Sequence, residues 1–285
     1  MVSGRAQRWR DSGEHIEVGG HRIFVVRRDG EGLPIVVVHG YPGSSYDFAG
    51  VVEHLDRPVV LLDLLGYGFS DKPRDASYSL FAQADLVEAV VARVGLNECA
   101  LVGHDMGTTV VAELLARANA GRLGFTVPSV VLLNGSIFID MAHLTRGQRL
   151  GLMARGRPMP FSFPVGFLRR NIRESVAEGT NLGAEQVEEL VDLVRLGGGD
   201  RLLTKQIDYV RERRRHQGTW TAAFVDFPGR LGAVWGVLDP IAVPAMPRHL
   251  AELRPGTEVV MLDGVGHWPS VEAPERVAAE IAVRT

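Results

Sequence analysis

Cysteine and long apolar runs are scarce in this sequence of 285 residues. The single cysteine, Cys99, excludes a disulfide within the chain, and its apolar surroundings predict a small buried thiol. No apolar run approaches the ~20 residues that a membrane-spanning helix needs. Residues 1–11 lack the apolar stretch of a secretory signal, so we expect a short flexible tail there and a cytoplasmic protein.

An excess of either charge is also absent. The chain has 31 Lys and Arg against 34 Asp and Glu, so we expect neither nucleic acid nor an acidic membrane as a partner. No histidine or cysteine pair has the spacing of a zinc site, and Gly66-Tyr67-Gly68 lacks the remaining glycine of a dinucleotide loop. We therefore predict no metal and no cofactor.

Short apolar runs, mostly of β-branched residues, recur along the first half of the chain. Such runs, bounded by glycine, proline or charge, predict buried strands. They cover residues 23–26, 35–38, 59–62, 100–102 and 130–133. The later runs are separated by helical patterns, such as the apolar spacing of Val87, Val90 and Val94. This alternation predicts a parallel sheet covered by helices on both faces.

A helical segment interrupts the alternation. Between about residues 138 and 227 no strand pattern is convincing, and an amphipathic helix over 185–196 ends at Gly197-Gly198-Gly199. Strands resume at 231–237 and 259–262, and a last helix fits 274–283. We therefore predict an α/β fold whose core comprises residues 1–136 and 229–285, with a helical cap over 137–228.

The strongest local motif is Gly103-His104-Asp105-Met106-Gly107. It follows a predicted strand and precedes a predicted helix, which is the context of a nucleophile elbow. The turn is tight enough to require small flanking residues, and the helix N-terminus would keep the Asp105 carboxylate ionised. The motif alone leaves open that Asp105 only caps the helix.

One further segment and two further residues follow the ends of predicted strands. In His39-Gly40-Tyr41-Pro42, the turn would aim a backbone N–H into a site at the end of strand 35–38. Asp239 and His267 follow the strands at 231–237 and 259–262, in the order nucleophile, acid, base. Each could be an ordinary turn residue, but their shared order and placement favour a catalytic triad of Asp105, Asp239 and His267.

These segments resemble the α/β-hydrolase superfamily. The resemblance rests on residues 39–42, 65–73, 103–107, Asp239 and 266–268, and it covers nearly all of residues 20–283. Within the superfamily it is to the Asp-nucleophile branch of epoxide hydrolases, haloalkane dehalogenases and mesoderm-specific-transcript-like hydrolases. Residues 44–47 and 134–138 resemble that last group closely. A serine esterase is nearly excluded, because the sequence contains no Gly-x-Ser-x-Gly motif.

The resemblance implies a two-step hydrolysis of a small apolar substrate. Asp105 would displace a leaving group at a saturated carbon and form an ester, and His267, oriented by Asp239, would activate water to cleave it. Backbone N–H groups of Tyr41 and Met106 would form the oxyanion hole. We also expect the substrate to contact His39, Tyr41, His104 and Trp268, with a structural rather than catalytic role for His104. Homodimer formation is left open.

The leaving group separates the candidate reactions. Dehalogenases of the branch usually have Trp after the nucleophile, where this chain has Met106, so epoxide opening is favoured. Epoxide hydrolases use two cap tyrosines as proton donors; Tyr209 resembles one, and the second is missing. Alternatively, Tyr209 is only a packing residue on a cap helix. We expect the nearby arginines to form a solvated helix face; they are Arg211, Arg213, Arg214 and Arg215. A dehalogenase with an atypical halide site and a non-catalytic ligand-binding protein remain as alternatives.

Overall fold

The computed structural model describes residues 3–177 and 182–285 and contains one eight-stranded sheet. The strands are β1 (Glu14–Val18), β2 (His21–Arg28), β3 (Ile35–Val38), β4 (Val59–Leu62), β5 (Ala100–His104), β6 (Ser129–Leu133), β7 (Arg230–Gly236) and β8 (Glu258–Leu262). Their order in the sheet is β1-β2-β4-β3-β5-β6-β7-β8. The pairs from β4 to β8 are parallel, whereas β1 and β2 form an antiparallel edge.

Helices cover both faces of this sheet. The α-helices of the described residues are α1 (Gly4–Asp11), α2 (Ala49–Val52), α3 (Leu80–Arg93), α4 (Met106–Asn119), α5 (Arg146–Met153), α6 (Val165–Arg173), α7 (Ala184–Arg195), α8 (Leu203–Gln206), α9 (Tyr209–Val225), α10 (Ala245–Leu253), α11 (Pro269–Glu272) and α12 (Pro274–Arg284). Three short 3₁₀ helices lie at Ser45–Phe48, Ile139–Met141 and Leu196–Leu202. No helix in the described part of the chain is long and apolar enough to cross a membrane.

Two apolar cores lie on opposite faces of the sheet. One contains buried residues of α3, α4, α9 and α10, and the other contains those of α12 with Trp9, Phe48 and Val51. The strands between them are buried on both sides, which explains why β3 to β6 read as continuous apolar runs without alternation. A third cluster joins α6 and α7 to Trp268, so the helical segment packs over the carboxyl ends of the strands.

The α/β fold, the parallel sheet and the predicted strands are confirmed. The described residues between β6 and β7 contain helices α5 to α9 and no strand. Cys99 is buried, as expected. The edge strand β1 was not predicted, because its five residues are only partly buried and carry charge.

The expectation of a flexible N-terminal tail is wrong. Residues from Gly4 form α1, capped by the Ser3 side chain, and Ala6 and Trp9 are buried, three residues apart on one face. The Trp9 indole donates to Ser45 Oγ at 3.1 Å, and Ser3 Oγ donates to Glu189 at 2.7 Å. These contacts of Trp9, Ala6 and Ser3 together dock a polar segment on the rest of the fold.

Candidate active site

Asp105 lies in the turn between β5 and α4. Its backbone has φ 48° and ψ −114°, a conformation that costs on the order of 1–3 kcal/mol for a residue with a side chain. A Cβ on Gly103 would lie 2.9 Å from Gly107 O, and one on Gly107 would lie 2.2 Å from Val38 O. Both positions therefore require glycine, and the strained turn lifts the Asp105 side chain above the sheet.

The Asp105 carboxylate has one oxygen held and one oxygen free. The Tyr41 backbone N–H donates to Oδ2 at 2.8 Å. Oδ1 has no hydrogen-bond partner among the described residues and lies 3.6 Å from His267 Nε2. Burial by itself would raise the pKa of Asp105, but His267, His104 and Arg213 outweigh it and lower the pKa. The carboxylate is therefore ionised at neutral pH and has an oxygen available for attack.

His267 connects Asp105 to Asp239. Its Nδ1 lies 2.9 Å from Asp239 Oδ2, and because a carboxylate only accepts, Nδ1 carries the hydrogen. Burial by itself would lower the pKa of His267, but the Asp239 and Asp105 carboxylates outweigh it and raise the pKa to about 10. In the resting protein the ring is thus an imidazolium between two carboxylates.

Asp239 is itself fixed by three further donors. The backbone N–H groups of Ile241 and Ala242 donate to Oδ1 at 2.7 and 2.9 Å, and Asn134 Nδ2 donates to Oδ2 at 2.6 Å. Asn134 follows β6 at φ 39° and also accepts from the Gly236 N–H at 3.0 Å. Asn134 belongs to the segment 134–138 that resembles the mesoderm-specific-transcript-like hydrolases, but its contact with Asp239 was not predicted. The available signal was a polar residue directly after the apolar run 130–133, since a position after a strand end also indicated Asp239 and His267.

The two predicted oxyanion donors are placed differently. The Tyr41 N–H already contacts Asp105 Oδ2, where the charge of a tetrahedral ester adduct would develop. Met106 is the first residue of α4, so its N–H is not used by the helix. No hydrogen bond joins that N–H to the carboxylate within the part of the chain that the structure describes.

A cavity of about 550 Å³ opens beside this triad. The helical segment forms most of its wall through α5, α6 and the residues between them, and Tyr41, His267 and Trp268 form its inner end. Its lining is mainly apolar, and its volume is in the range of cavities that bind small ligands.

The four predicted substrate contacts divide into two pairs. Tyr41 and Trp268 line the cavity, whereas His39 and His104 are buried behind the site and do not. The ring of His39 bonds to Gly40 O at 2.8 Å and to the Leu64 N–H at 3.0 Å. His104 Nε2 bonds to His267 O at 2.8 Å, and burial lowers the pKa of His104 to about 4. The structure therefore places these two histidines where they hold backbone around the site.

Tyr209 begins α9 and is buried beside Tyr41, with ring centroids 5.9 Å apart. It does not line the large cavity. Burial and then the nearby Asp105 carboxylate raise the pKa of Tyr209, whereas Arg213 counteracts them. The phenol is therefore protonated at rest and lies within electrostatic reach of Asp105.

Arg213 corrects the expectation of a solvated arginine face. It is 1% exposed, its guanidinium lies 5.2 Å from the centre of the Tyr209 ring, and it donates to Thr109 Oγ1. It also lies 3.5 Å from the backbone oxygen of Asp105. Its Nε and one terminal nitrogen have no partner among the described residues. The burial of Arg213 could not be predicted from the run of arginines, because the residues of α4 that it contacts lie about a hundred positions away in the chain.

The comparisons with known proteins identify the family to which this fold belongs. Residues 34–163 match the α/β hydrolase fold family. LipZ of Mycobacterium tuberculosis, a protein named as a hydrolase, is 38% identical over 279 residues, covering 98% of this chain and 97% of LipZ. The human mesoderm-specific transcript homolog protein is 31% identical over 281 residues, covering 93% of this chain and 83% of that protein.

Solved structures show the same fold. The haloalkane dehalogenase DbeA from Bradyrhizobium elkani superposes with a TM-score of 0.78 at 21% identity, covering 95% of this chain and 96% of DbeA. The epoxide hydrolase CorEH superposes with a TM-score of 0.68 at 20% identity, covering 95% and 97%. At these identities the likeness is one of fold alone. The 38% identity with LipZ over nearly the whole of both chains, together with the match to the family, confirms the resemblance to the α/β-hydrolase superfamily. The chain belongs to this superfamily and is a hydrolase.

Proposed function

We propose that this hydrolase opens epoxides to diols through a covalent ester on Asp105. The observation that carries the proposal is a carboxylate at the elbow, whose Oδ1 has no hydrogen-bond partner among residues 3–177 and 182–285 and lies 3.6 Å from His267 Nε2. An ionised carboxylate attacks a saturated carbon and forms an alkyl ester. The residue at the elbow is Asp105 and not a serine, so the nucleophile at this position is a carboxylate.

In the first step, Asp105 Oδ1 forms a bond to one epoxide carbon while the carbon–oxygen bond of the ring breaks. The epoxide oxygen becomes an alkoxide and takes the phenolic proton of Tyr209. Alkylation neutralises Asp105, which removes the charge that opposes ionisation of Tyr209. Arg213, over the Tyr209 ring, remains and stabilises the tyrosinate. A single tyrosine with an arginine neighbour thus takes the place of the two cap tyrosines usual in epoxide hydrolases.

In the second step, water hydrolyses the ester. Once Asp105 is neutral, the pKa of His267 falls, the ring releases its proton to solvent, and Tyr209 regains one from solvent. Neutral His267 then takes a proton from water as the hydroxide attacks the Asp105 ester carbon. The oxyanion forms at the oxygen held by the Tyr41 N–H, and its collapse expels the diol, which takes the proton from His267. The proton left on the Asp105 carboxyl then passes to His267, which restores the carboxylate and the imidazolium. Epoxide and water are consumed and a diol is formed.

The helical segment is proposed to act as the cap of this enzyme. The predicted boundaries, residues 1–136 and 229–285 for the core and 137–228 for the cap, remain a proposal. Their support is that α9 supplies Tyr209 and Arg213, while α5 and α6 supply the cavity wall. The cap would exclude water from the alkylation step and select substrates by shape.

A second candidate is a hydrolytic dehalogenase. Two nitrogen atoms of Arg213 have no partner in the part of the chain that the structure describes, and they favour this candidate because N–H donors near the nucleophile could hold a departing halide ion. A halide needs no proton, so Tyr209 would then have no chemical part. A non-catalytic binding protein would show saturable binding without turnover of either substrate class.

A substrate panel tests these candidates. We expect the purified protein to convert styrene oxide or cyclohexene oxide to diol, detected by gas chromatography, and to release little bromide from 1-bromobutane. Asp105→Asn is the control that should remove all turnover. Bromide release without diol formation would support the dehalogenase, and binding with no turnover of any compound would contradict the proposed function.

A further inference from the structure

Positive charge is concentrated in one stretch of the helical segment. Residues 141–173 contain seven of the chain's 31 Lys and Arg and none of its 34 Asp and Glu, so the rest of the chain is strongly acidic. Two of these arginines, Arg169 and Arg170, form ion pairs with Glu188 and Glu174. The exposed residues Arg146, Arg149, Arg155 and Arg157 form no ion pair within residues 3–177 and 182–285. The near-zero net charge of the whole chain therefore conceals a basic surface.

Large apolar residues are exposed on the same surface. One face of α5 carries two arginines and two large apolar residues. Counted from Arg146, they lie at offsets of three (Arg149), four (Leu150) and seven (Met153), the spacing of residues that share a helix face. Leu150 is 59% exposed and Met153 is 75% exposed. Phe161, in the loop after α5, is 57% exposed. Exposed apolar side chains interleaved with arginines are typical of surfaces that lie on anionic lipid.

The mouth of the cavity lies within this surface. Leu150 and Met153 line the cavity although more than half of each side chain is exposed, so they stand at its entrance. Phe161 lies between Met159 and Phe163, which also line the cavity. A planar partner on this surface would therefore cover the entrance that leads to His267.

We propose that the surface formed by Arg146, Arg149, Leu150, Met153 and Phe161 docks on an anionic lipid bilayer and opens the cavity directly into it. The arginines would contact lipid phosphates and the three apolar side chains would enter the acyl boundary. This proposal departs from the expectation, drawn from the net charge, that no acidic membrane is a partner. Docking would let an apolar substrate pass from the bilayer to the active site without crossing water.

Charge complementarity favours a bilayer over a second copy of this chain. In a symmetric dimer the same patch would face itself, so four or more arginines would approach arginines across the contact. An anionic surface relieves this repulsion and contributes about a fivefold gain in binding for each arginine near it. Apolar insertion adds to this gain, with on the order of tenfold for each large side chain that is buried.

Vesicle flotation with the full chain tests the proposal. We expect binding to vesicles of phosphatidylcholine and phosphatidylglycerol at 3:1, release at high salt, and no binding to phosphatidylcholine alone. Arg146→Gln with Arg149→Gln should weaken binding by about 25-fold, and Leu150→Ser with Met153→Ser by on the order of a hundredfold. The four positions are exposed, so unchanged thermal melts should show that both variants fold.

Matched variants elsewhere on the surface control this experiment. Arg93→Gln with Arg122→Gln removes the same charge, and Leu253→Ser with Val283→Ser removes exposed apolar side chains from α10 and α12. Both should leave vesicle binding unchanged. Absence of wild-type binding, or equal loss in the control variants, would overturn the proposal.

A dimer in gel filtration that only Leu150→Ser with Met153→Ser dissociates, together with no vesicle binding, would also overturn it and assign the surface to a second copy. The readout is binding, so its failure would leave the proposed epoxide chemistry untouched.

Discussion

Replacing Asp105 with asparagine should lower the pKa of His267 by a large amount. The two charged groups lie 3.6 Å apart and both are buried. At an effective dielectric constant of about 20, that separation corresponds to roughly 4–5 kcal/mol of attraction between unit charges. Because 1.36 kcal/mol equals one pKa unit, removal of the Asp105 charge should bring the pKa of His267 from about 10 to roughly 7.

This pKa change is what the second half-reaction needs. A neutral ester on Asp105 removes the same charge as the asparagine does, so the imidazolium becomes a neutral base only after alkylation. Ester hydrolysis requires the deprotonated ring. Its rate should therefore rise as the pH increases through about 7 and level off above it.

The pKa can be measured by NMR of protein labelled with ¹⁵N in its nine histidines. His267→Gln identifies the resonance that belongs to His267. Asp75→Asn, which removes an exposed carboxylate, is the control and should not change the titration. If His267 titrates at the same pH in Asp105→Asn as in the wild type, Asp105 does not control its protonation and the proposed switch is wrong.

Three further variants separate the two half-reactions. His267→Gln should lower turnover by ~10²–10⁴-fold, roughly 3–5 kcal/mol of barrier, and intact-protein mass spectrometry should show one substrate mass added. Tyr209→Phe should slow ring opening by ~10²-fold, about 2.7 kcal/mol, and should not accumulate the ester. The control Tyr46→Phe should have no effect on this rate. If Tyr209→Phe opens the epoxide at the wild-type rate, Tyr209 is only a packing residue. Arg213→Met should slow the same step by ~10²-fold, and Arg213→Lys should recover part of the rate because it restores the charge; equal rates for the two variants would count against an electrostatic role.

The triad could be predicted from the sequence because each of its members has a recognisable local sequence context. Asp105, Asp239 and His267 each follow a short apolar run, and the carboxyl ends of parallel strands meet at one edge of the sheet. The same reasoning extends to Asn134, directly after β6, and should have assigned it. The strand pattern predicts which residues converge but not the hydrogen bonds that fix Asp239.

Features that depend on packing between distant segments could not be predicted. The burial of Arg213 depends on Thr109 and Tyr209, and nothing in a run of arginines distinguishes the one that points inward. The docking of α1 depends on Trp9 reaching Ser45. His39 and His104 looked like substrate contacts because they flank catalytic motifs, yet their ring nitrogens bond to backbone.

A single turnover in ¹⁸O-labelled water tests the ester on Asp105 most directly. With enzyme in excess over epoxide, the attacking oxygen of the first product comes from the Asp105 carboxylate. Peptide mass spectrometry should therefore find ¹⁸O in the peptide that contains Asp105, and the first diol should carry none. Label in the first diol and none in the peptide would mean that water attacks the epoxide directly, which would contradict the account.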